Sequence, residues 1–284
     1  EDGMFWISFE DFVKYYTHCK ICRHLNTSFF TFEPLWHKNK ATGEWTAENA
    51  GGSANHASFL SNPQYSIEFS KKTDIVVGLM QPDGRLCHKA HLTIGFVIVH
   101  VETNRKIRLH NLNSVAVRSK TTYRNAREVM HRVDDIRPGK YYIIPTTFDP
   151  SHHSKFLLRV WTRCRASFHH IQEDAVSKRW FSKMPKLAIR VWVEELSGIK
   201  SPLKIRKPSY HVTIDVDGHH KRTYSSSKSA IDEGYLFFLK HPEKAVIKLD
   251  VWDGHTLRSN DYLGSLLIPV TDFLSYKANV QYTG

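Results

Sequence analysis

The sequence lacks a long apolar run and has few cysteines. No stretch approaches the roughly 18–20 consecutive apolar residues that a membrane-spanning helix requires, which excludes such a helix. Four cysteines in 284 residues do not make a disulfide framework. Cys19 and Cys22 form a CxxC pair, but Cys87 and Cys164 stand alone, so a four-thiolate zinc site lacks its second pair. We therefore expect a reduced, cytoplasmic protein with buried thiols.

Motifs of the common enzyme classes are also absent. The sequence has no GxSxG nucleophile elbow, Walker loop, HExxH zinc motif or GxGxxG dinucleotide loop. A cysteine protease needs a thiolate beside an imidazole, with a third group that orients the ring. Cys19 or Cys22 with His18 or His24 is a pair too close in sequence to line a scaffolded cleft. We expect no catalytic residue in this chain.

Basic residues are in excess, with 40 Lys and Arg against 28 Asp and Glu. A net charge of +12 favours anionic partners such as phospholipid, nucleic acid or an acidic protein surface. Neither an RNP-like aromatic pattern nor a zinc finger supports nucleic-acid binding. We expect anionic phospholipid or a protein as the partner, and no nucleic acid.

Short strands punctuated by turns dominate the chain. Between residues 22 and 165, segments of period-two hydrophobicity alternate with turn signals such as Asn62-Pro63, which is typical of an antiparallel sandwich. Residues 166–183 are polar and predict a linker. Residues 184–284 repeat the strand pattern and predict a second all-β unit.

Residues 1–21 differ from the rest because they are rich in aromatic side chains. Ser8, followed by Glu10 and Asp11, suits a short helix with an acidic first turn. The segment is too short to fold alone. We expect it to be the tail of an upstream domain, and the chain to be cut from something longer.

Residues 251–264 resemble a C2-type calcium loop with parts missing. Asp253 and Asp261 stand at either end of a polar loop between two apolar strands. Calcium takes six or more oxygen ligands, and C2 modules supply several of them as carboxylates. His255 stands where the resemblance places a third carboxylate. We expect a weak or vestigial calcium site at Asp253 and Asp261.

Two basic segments of the second unit predict a surface that binds lipid or a partner. Residues 197–207 contain no acid within the loop that C2 modules turn towards a membrane, and the following basic segment begins a predicted strand at residues 221–226. Each basic residue near an anionic leaflet contributes about 1 kcal/mol. An ordinary charged surface explains the same residues equally well. The candidates are Lys200, Lys204, Arg206, Lys207, Lys221 and Arg222.

Motifs spaced along the chain resemble the C-terminal half of a calpain. DGMFWISFEDF at residues 2–12 is similar to the end of the calpain protease core. Gly51-Gly52, NPQY at residues 62–65 and GKYYIIPTTFDP at residues 139–150 resemble that family's β-sandwich. Conventional calpains continue into EF-hands, but no DxDxDG loop is present here. The chain is instead similar to the calpain-five and calpain-six type, which includes the nematode sex-determination calpain.

The resemblance implies an all-β fold with defined domains. Residues 1–21 are expected to be the tail of the protease core, 22–165 the calpain sandwich called domain III, 166–183 a linker and 184–284 a C2-like sandwich. The sandwich loop that is acidic in conventional calpains corresponds here to residues 81–91, which are neutral to basic. The sequence therefore lacks the acidic loop on which such a calcium or lipid switch is built.

The resemblance leaves two functions open. In the first, the chain is the regulatory and targeting half of a papain-like cysteine endopeptidase. Domain III braces the upstream protease core, which needs calcium, and the C2-like unit docks the enzyme on membrane or substrate as a peripheral protein. In the second, the parent is a non-proteolytic relative that acts as a cytoskeletal or scaffold protein. The residue in place of the catalytic cysteine, upstream of this chain, decides between them.

Overall fold

The computed structural model describes residues 5–17, 35–83, 90–112, 116–175, 184–199, 208–255 and 259–274. The chain divides into two compact units, Glu1–Trp36 and His37–Gly284. In the first unit, α1 spans Phe9–Tyr15, and the Ser8 hydroxyl accepts the backbone N–H of Asp11 at 3.1 Å. The predicted short helix with an acidic first turn is confirmed. No helix among the described residues is long and apolar enough to cross a membrane.

The first sandwich of the second unit consists of antiparallel strands in two sheets. One sheet has the order β1-β9-β3-β7, and the other has the order β10-β2-β8-β4-β5, with β6 paired to β4. The strands are β1 (His37–Trp45), β2 (Gln64–Phe69), β3 (Thr73–Met80), β4 (Thr93–Val101), β5 (Ala116–Lys120), β6 (Arg124–Asn125), β7 (Glu128–Ile136), β8 (Gly139–Thr147), β9 (Ser154–Thr162) and β10 (Ser167–Ile171).

The core between these sheets follows from the period-two alternation of the strands, which points alternate side chains inwards. Trp45 is fully buried there, donates from Nε1 to the Pro145 carbonyl at 3.1 Å, and packs on Phe156 with ring centroids 4.6 Å apart. A second cluster, which includes Val99 and Leu109, covers the outer face of the larger sheet. The centre of that sheet is therefore buried on both faces, which explains the nearly continuous apolar sequence of β4.

The second sandwich pairs a two-stranded sheet, β11-β14, with a four-stranded sheet of order β13-β12-β15-β16 in the described part of the chain. Its core contains Val212, Ile214, Val216, Phe237 and Leu239. The elements are β11 (Leu187–Glu195), β12 (Tyr210–Val216), β13 (His219–Arg222), β14 (Ala230–Leu239), β15 (Val246–Asp253), β16 (Asp261–Pro269) and α2 (Thr271–Leu274).

The predicted all-β architecture of two successive sandwiches is confirmed, but some local expectations differ from the structure. The strand predicted at 221–226 lies instead at His219–Arg222. The cause is a tight hairpin at Asp217-Gly218, where φ is +54° and +76°. An Asp-Gly pair with positive φ at both positions is the two-residue turn that matches strand twist. This sequence signal was missed.

Residues 166–183, predicted as a linker, include strand β10, which pairs with β2 at the edge of the first sandwich. Phe168 stacks on Tyr65 with ring centroids 5.8 Å apart, and Ile171 is buried. The strand reads as polar because the other residues of β10 are exposed at the sheet edge. Residues 176–183 lie outside the described part, as do Cys19, Cys22, His18 and His24.

Candidate functional site

The two aspartates predicted as calcium ligands lie side by side at the tip of the second sandwich. Asp253 ends β15, Asp261 begins β16, and the two are cross-strand partners. Asp253 is fully buried, and its Oδ1 accepts the backbone N–H of Ser209 at 2.9 Å. Oδ2 of Asp261 lies 2.8 Å from Nε2 of His255. The structure therefore brings both carboxylates together, but each already has a protein hydrogen-bonding partner.

His255, at the position of a third carboxylate, competes with a metal ion for Asp261. Its backbone N–H donates to Oδ1 of Asn260 at 3.1 Å, and its side chain is 7% exposed. A ring N–H directed at Asp261 occupies an oxygen that a hard cation would need. Among the described residues, no group of three or more His, Cys, Asp or Glu is arranged to hold a metal ion. This donor set does not fit a tight calcium site.

His211 is a titratable residue at this tip that the sequence analysis did not single out. It lies on β12 opposite Trp252 of β15 and is 2% exposed. Burial lowers its pKa, and the charge of Arg222 lowers it further, although a hydrogen bond with the Ser209 backbone and the charge of Asp253 act in the opposite direction. The neutral ring is therefore favoured. A single histidine within an apolar strand gives no sequence signal of such a site.

The basic candidates Lys221 and Arg222 lie on β13, the outermost strand of the four-stranded sheet as described. Lys221 is opposite Ile214 and Arg222 is opposite Thr213, so their side chains leave the strand towards opposite faces. Because Ile214 is fully buried, Arg222 belongs to the outer face of the sheet. The structure therefore does not bring these two cations together. Lys200, Lys204, Arg206 and Lys207 lie outside the described residues.

The outer face around Arg222 carries two side-chain pairs between a basic residue and an aspartate. Nζ of Lys248 lies 3.0 Å from Oδ2 of Asp250, and Nδ1 of His220 lies 3.0 Å from Oδ2 of Asp215. Neither Lys221 nor Arg222 has a side-chain ion pair within the part of the chain that the structure describes.

Aromatic side chains lie on the same face. Trp252 donates from Nε1 to Oγ1 of Thr213 at 3.1 Å and meets Tyr262 edge to face, with ring centroids 5.2 Å apart. Tyr262 is 55% exposed and Leu267 is 62% exposed. A cation, an amphipathic aromatic ring and an aliphatic side chain therefore share one solvent-facing surface.

Comparison with known proteins relates both sandwiches to described families. Residues 41–161 match the family of calpain large subunit domain III, and residues 187–283 match the C2 domain family. Calpain-5 of Mus musculus is 31% identical over 94% of this chain and 43% of its own length. Calpain-5 of Caenorhabditis elegans is 26% identical over 100% of this chain and 46% of its own length. The chain is homologous to calpain-5 over nearly its whole length.

The first sandwich is thus a calpain domain III and the second a C2 domain, which confirms the predicted resemblance to the calpain-five type. The Calpain-2 catalytic subunit of Homo sapiens is 31% identical over 61% of this chain and 28% of its own length. The chain spans less than half the length of the curated calpain-5 relatives that it matches.

Proposed function

We propose that this calpain chain is the regulatory and targeting part of a papain-like cysteine endopeptidase. In this proposal, domain III braces an upstream protease core and the C2 domain docks the protein on an anionic phospholipid surface. The order of the two domains and the relationship to calpain-5 support the regulatory role. The observation that carries the docking role is the outer C2 face, where Arg222 has no carboxylate partner among the described residues.

The charges on this face favour a negative partner. Lys248 pairs with Asp250 and His220 pairs with Asp215, whereas Arg222 has no carboxylate partner among the described residues. Each Lys or Arg near an anionic leaflet contributes about 1 kcal/mol. Lys221 at the sheet edge and the four basic residues in the sequence segment 200–207 add to the same attraction.

Exposed Tyr262 and Leu267 favour a membrane over a purely polar partner. A tyrosine ring has an apolar body and a polar hydroxyl, which suits the boundary between headgroups and acyl chains. Leu267 adds aliphatic area that water solvates poorly. Binding through these groups is superficial, as expected of a peripheral protein.

We propose that calcium contributes little to this docking. Asp253 and Asp261 supply only two carboxylates, and the latter is held by His255. Fewer charged ligands weaken calcium binding, and weak extracellular modules already bind at about 10⁻⁴–10⁻³ M. We expect an affinity no tighter than about that range, or no binding.

Liposome sedimentation with the whole chain tests the proposal. Wild-type protein should sediment with phosphatidylserine vesicles and not with phosphatidylcholine vesicles, with little dependence on calcium and a strong decrease at high salt. Reversing charge in Arg222→Glu together with Lys221→Glu should weaken sedimentation. Lys240→Glu together with Lys244→Glu, an equal charge change at exposed residues of the same domain, is the matched control.

Three results would contradict parts of this proposal. Sedimentation that survives reversal of Lys200, Lys204, Arg206, Lys207, Lys221 and Arg222 would reject electrostatic docking. Micromolar calcium dependence that Asp253→Asn abolishes would reject the weak calcium site. An absence of binding to every vesicle would leave a protein as the partner of the C2 domain and reject the membrane.

A further inference from the structure

The β11-β14 sheet of the C2 domain, which has two strands in the described part of the chain, has an edge that domain III covers. A two-stranded antiparallel pair is marginally stable alone, and an unpaired strand edge is a site for association with other chains. The residues involved are His100, Glu102, Thr103, Asn104 and Arg105 of domain III, with Arg190, Trp192, Asp232, Gly234 and Leu236 of the C2 domain. We call this set the joint.

Backbone hydrogen bonds of β14 continue directly into domain III. The N–H of Thr103 donates to the carbonyl of Gly234 at 2.9 Å. Two residues further along β14, the Asn104 carboxamide donates from Nδ2 to the carbonyl of Leu236 at 2.7 Å and accepts its N–H on Oδ1 at 2.8 Å. The spacing of two matches one edge of a strand. Asn104 therefore makes the pair of bonds that a neighbouring strand would make.

A buried charge cluster fixes the same contact. The side chain of Glu102 is 1% exposed and receives Arg105 from its own loop, with Nε 2.5 Å from Oε2. Nε of Arg190, from β11, lies 2.9 Å from Oε1 of the same carboxylate as an ion pair without hydrogen-bond alignment. Burial alone raises the pKa of Glu102, but the two arginines outweigh it and the net pKa is lowered. Glu102 thus stays ionised and neutralises an arginine of the other domain.

Aromatic packing completes the joint. His100 is fully buried, stacks on Tyr141 of domain III at 4.6 Å between centroids, and meets Trp192 of the C2 domain edge to face at 5.0 Å. Arg190 lies over the Trp192 ring with its Cζ 4.3 Å from the centroid, and the indole N–H donates to Asp232 at 3.2 Å.

We propose that residues 100–105 of domain III act as an intramolecular cap on the open edge of β14, so that the two sandwiches fold and move as one body. Separation of the domains removes the partners of the Gly234 carbonyl and of the Leu236 N–H and carbonyl, and it leaves Arg190 without the carboxylate of Glu102. Both losses fall on the C2 domain, because domain III retains its own sheets and the Glu102–Arg105 pair. The joint therefore also fixes the orientation of the C2 outer face relative to domain III.

Hydrogen exchange at the Leu236 amide, measured in the whole chain, tests the cap. Asn104→Ala removes the acceptor of the Leu236 N–H, and we expect exchange in the β14 peptide that contains Leu236 to become about tenfold faster. Asn39→Ala, on β1 of the same sandwich, is the matched control and should leave that peptide unchanged. Unchanged exchange in Asn104→Ala would overturn the proposal.

Calorimetry provides a second readout. Wild-type protein should unfold both sandwiches in one transition, whereas Asn104→Ala combined with Glu102→Gln should separate a C2 transition at lower temperature. Two separate transitions in the wild type would also overturn the proposal. If the double variant does not fold, Asn104→Ala alone keeps the Glu102 ion pairs and gives the same comparison. Dimers of Asn104→Ala that form with rising concentration would support an uncapped edge, because such an edge pairs with a second copy.

Discussion

Domain III and the C2 domain are both antiparallel sandwiches, but they bury their cores to different extents. Ile67, Ile75 and Val77 of domain III have no exposed surface, whereas Val191 and Val193 of the C2 domain each keep 9%. Domain III also covers the outer face of its larger sheet with a second apolar cluster. The sandwich architecture alone therefore does not determine how completely a domain excludes water.

The difference has a topological origin. Each face of domain III has at least four strands, while one face of the C2 domain has two in the described part of the chain. A narrow sheet covers less of the opposing sheet. Core side chains near its edges therefore remain partly exposed to solvent. The joint with domain III extends the narrow sheet at β14 and compensates for part of this deficit.

The largest expected effect is on the domain III core. Trp45→Ala removes a fully buried ring and its hydrogen bond to Pro145, and substitutions of this kind destabilise by about 3–5 kcal/mol. The measurement is urea unfolding followed by circular dichroism. Trp252→Ala on the outer C2 face is the control and should cost clearly less. If both variants lost the same free energy of unfolding, the proposed difference between the two domains would be wrong.

A smaller loss is expected in the C2 core. Ile214 is fully buried at its centre, and Ile214→Ala should destabilise by about 2–5 kcal/mol, towards the lower end because the surroundings of a more open core relax more easily. Leu266→Ala, on a side chain 41% exposed in β16, should stay within about 0.5 kcal/mol of the wild type. Thermal unfolding gives both values. A larger loss for Leu266→Ala would indicate that β16 packs against a further surface.

Much of the fold was predictable because buried strands have a recognisable pattern of apolar residues in the sequence. β3, β4, β8 and β9 carry apolar runs, and they lie among the segments of period-two hydrophobicity that predict strands between residues 22 and 165. β10 falls within the predicted linker, because most of its residues are exposed and polar, and β7 alternates polar and charged residues in the same way.

The candidate site was predictable only in part. The pairing of Asp253 with Asp261 follows from a loop between two adjacent strands. The contact between His255 and Asp261 depends on loop conformation, which composition does not specify. The joint was not predictable at all, because Asn104 and Leu236 are 132 residues apart and belong to different sandwiches. Contacts between two sandwiches leave no periodic signal in the sequence.

Acid should destabilise the protein through His211. Its pKa in the folded state is lowered by burial, so the unfolded chain, with a histidine pKa of about 6.5, takes up the proton first as the pH falls. The stability is complete above about pH 6.5 and decreases as the pH falls through the folded-state pKa, by at most about 1.4 kcal/mol per pH unit for one proton. Urea unfolding at several pH values measures this slope.

His211→Asn removes the titrating group and should flatten the slope below about pH 6.5. His169→Gln, at an exposed position on β10 of domain III, is the matched control and should keep the wild-type slope. An unchanged slope in His211→Asn would assign the acid sensitivity to groups outside the C2 tip.

The smallest expected effect distinguishes the two faces of β13. Arg222 lies on the outer face with Tyr262, while Lys221 leaves the strand on the side of buried Ile214. If the outer face meets the membrane, Arg222→Ala should weaken binding to phosphatidylserine vesicles about fivefold, equivalent to about 1 kcal/mol. Lys221→Ala should weaken it less, because its charge lies further from the lipid.

Vesicle binding at several salt concentrations, with a control variant in domain III, tests whether the effect of Arg222 is electrostatic and local. Exposed charges are screened over about 10 Å at 0.1 M ionic strength, so the difference between Arg222→Ala and the wild type should shrink as salt rises. Lys155→Ala, at an exposed position on β9 of domain III, should bind vesicles like the wild type at every salt concentration. If Lys155→Ala weakens binding as much as Arg222→Ala, the attraction comes from the net charge of +12 as a whole and the outer C2 face has no special part in it.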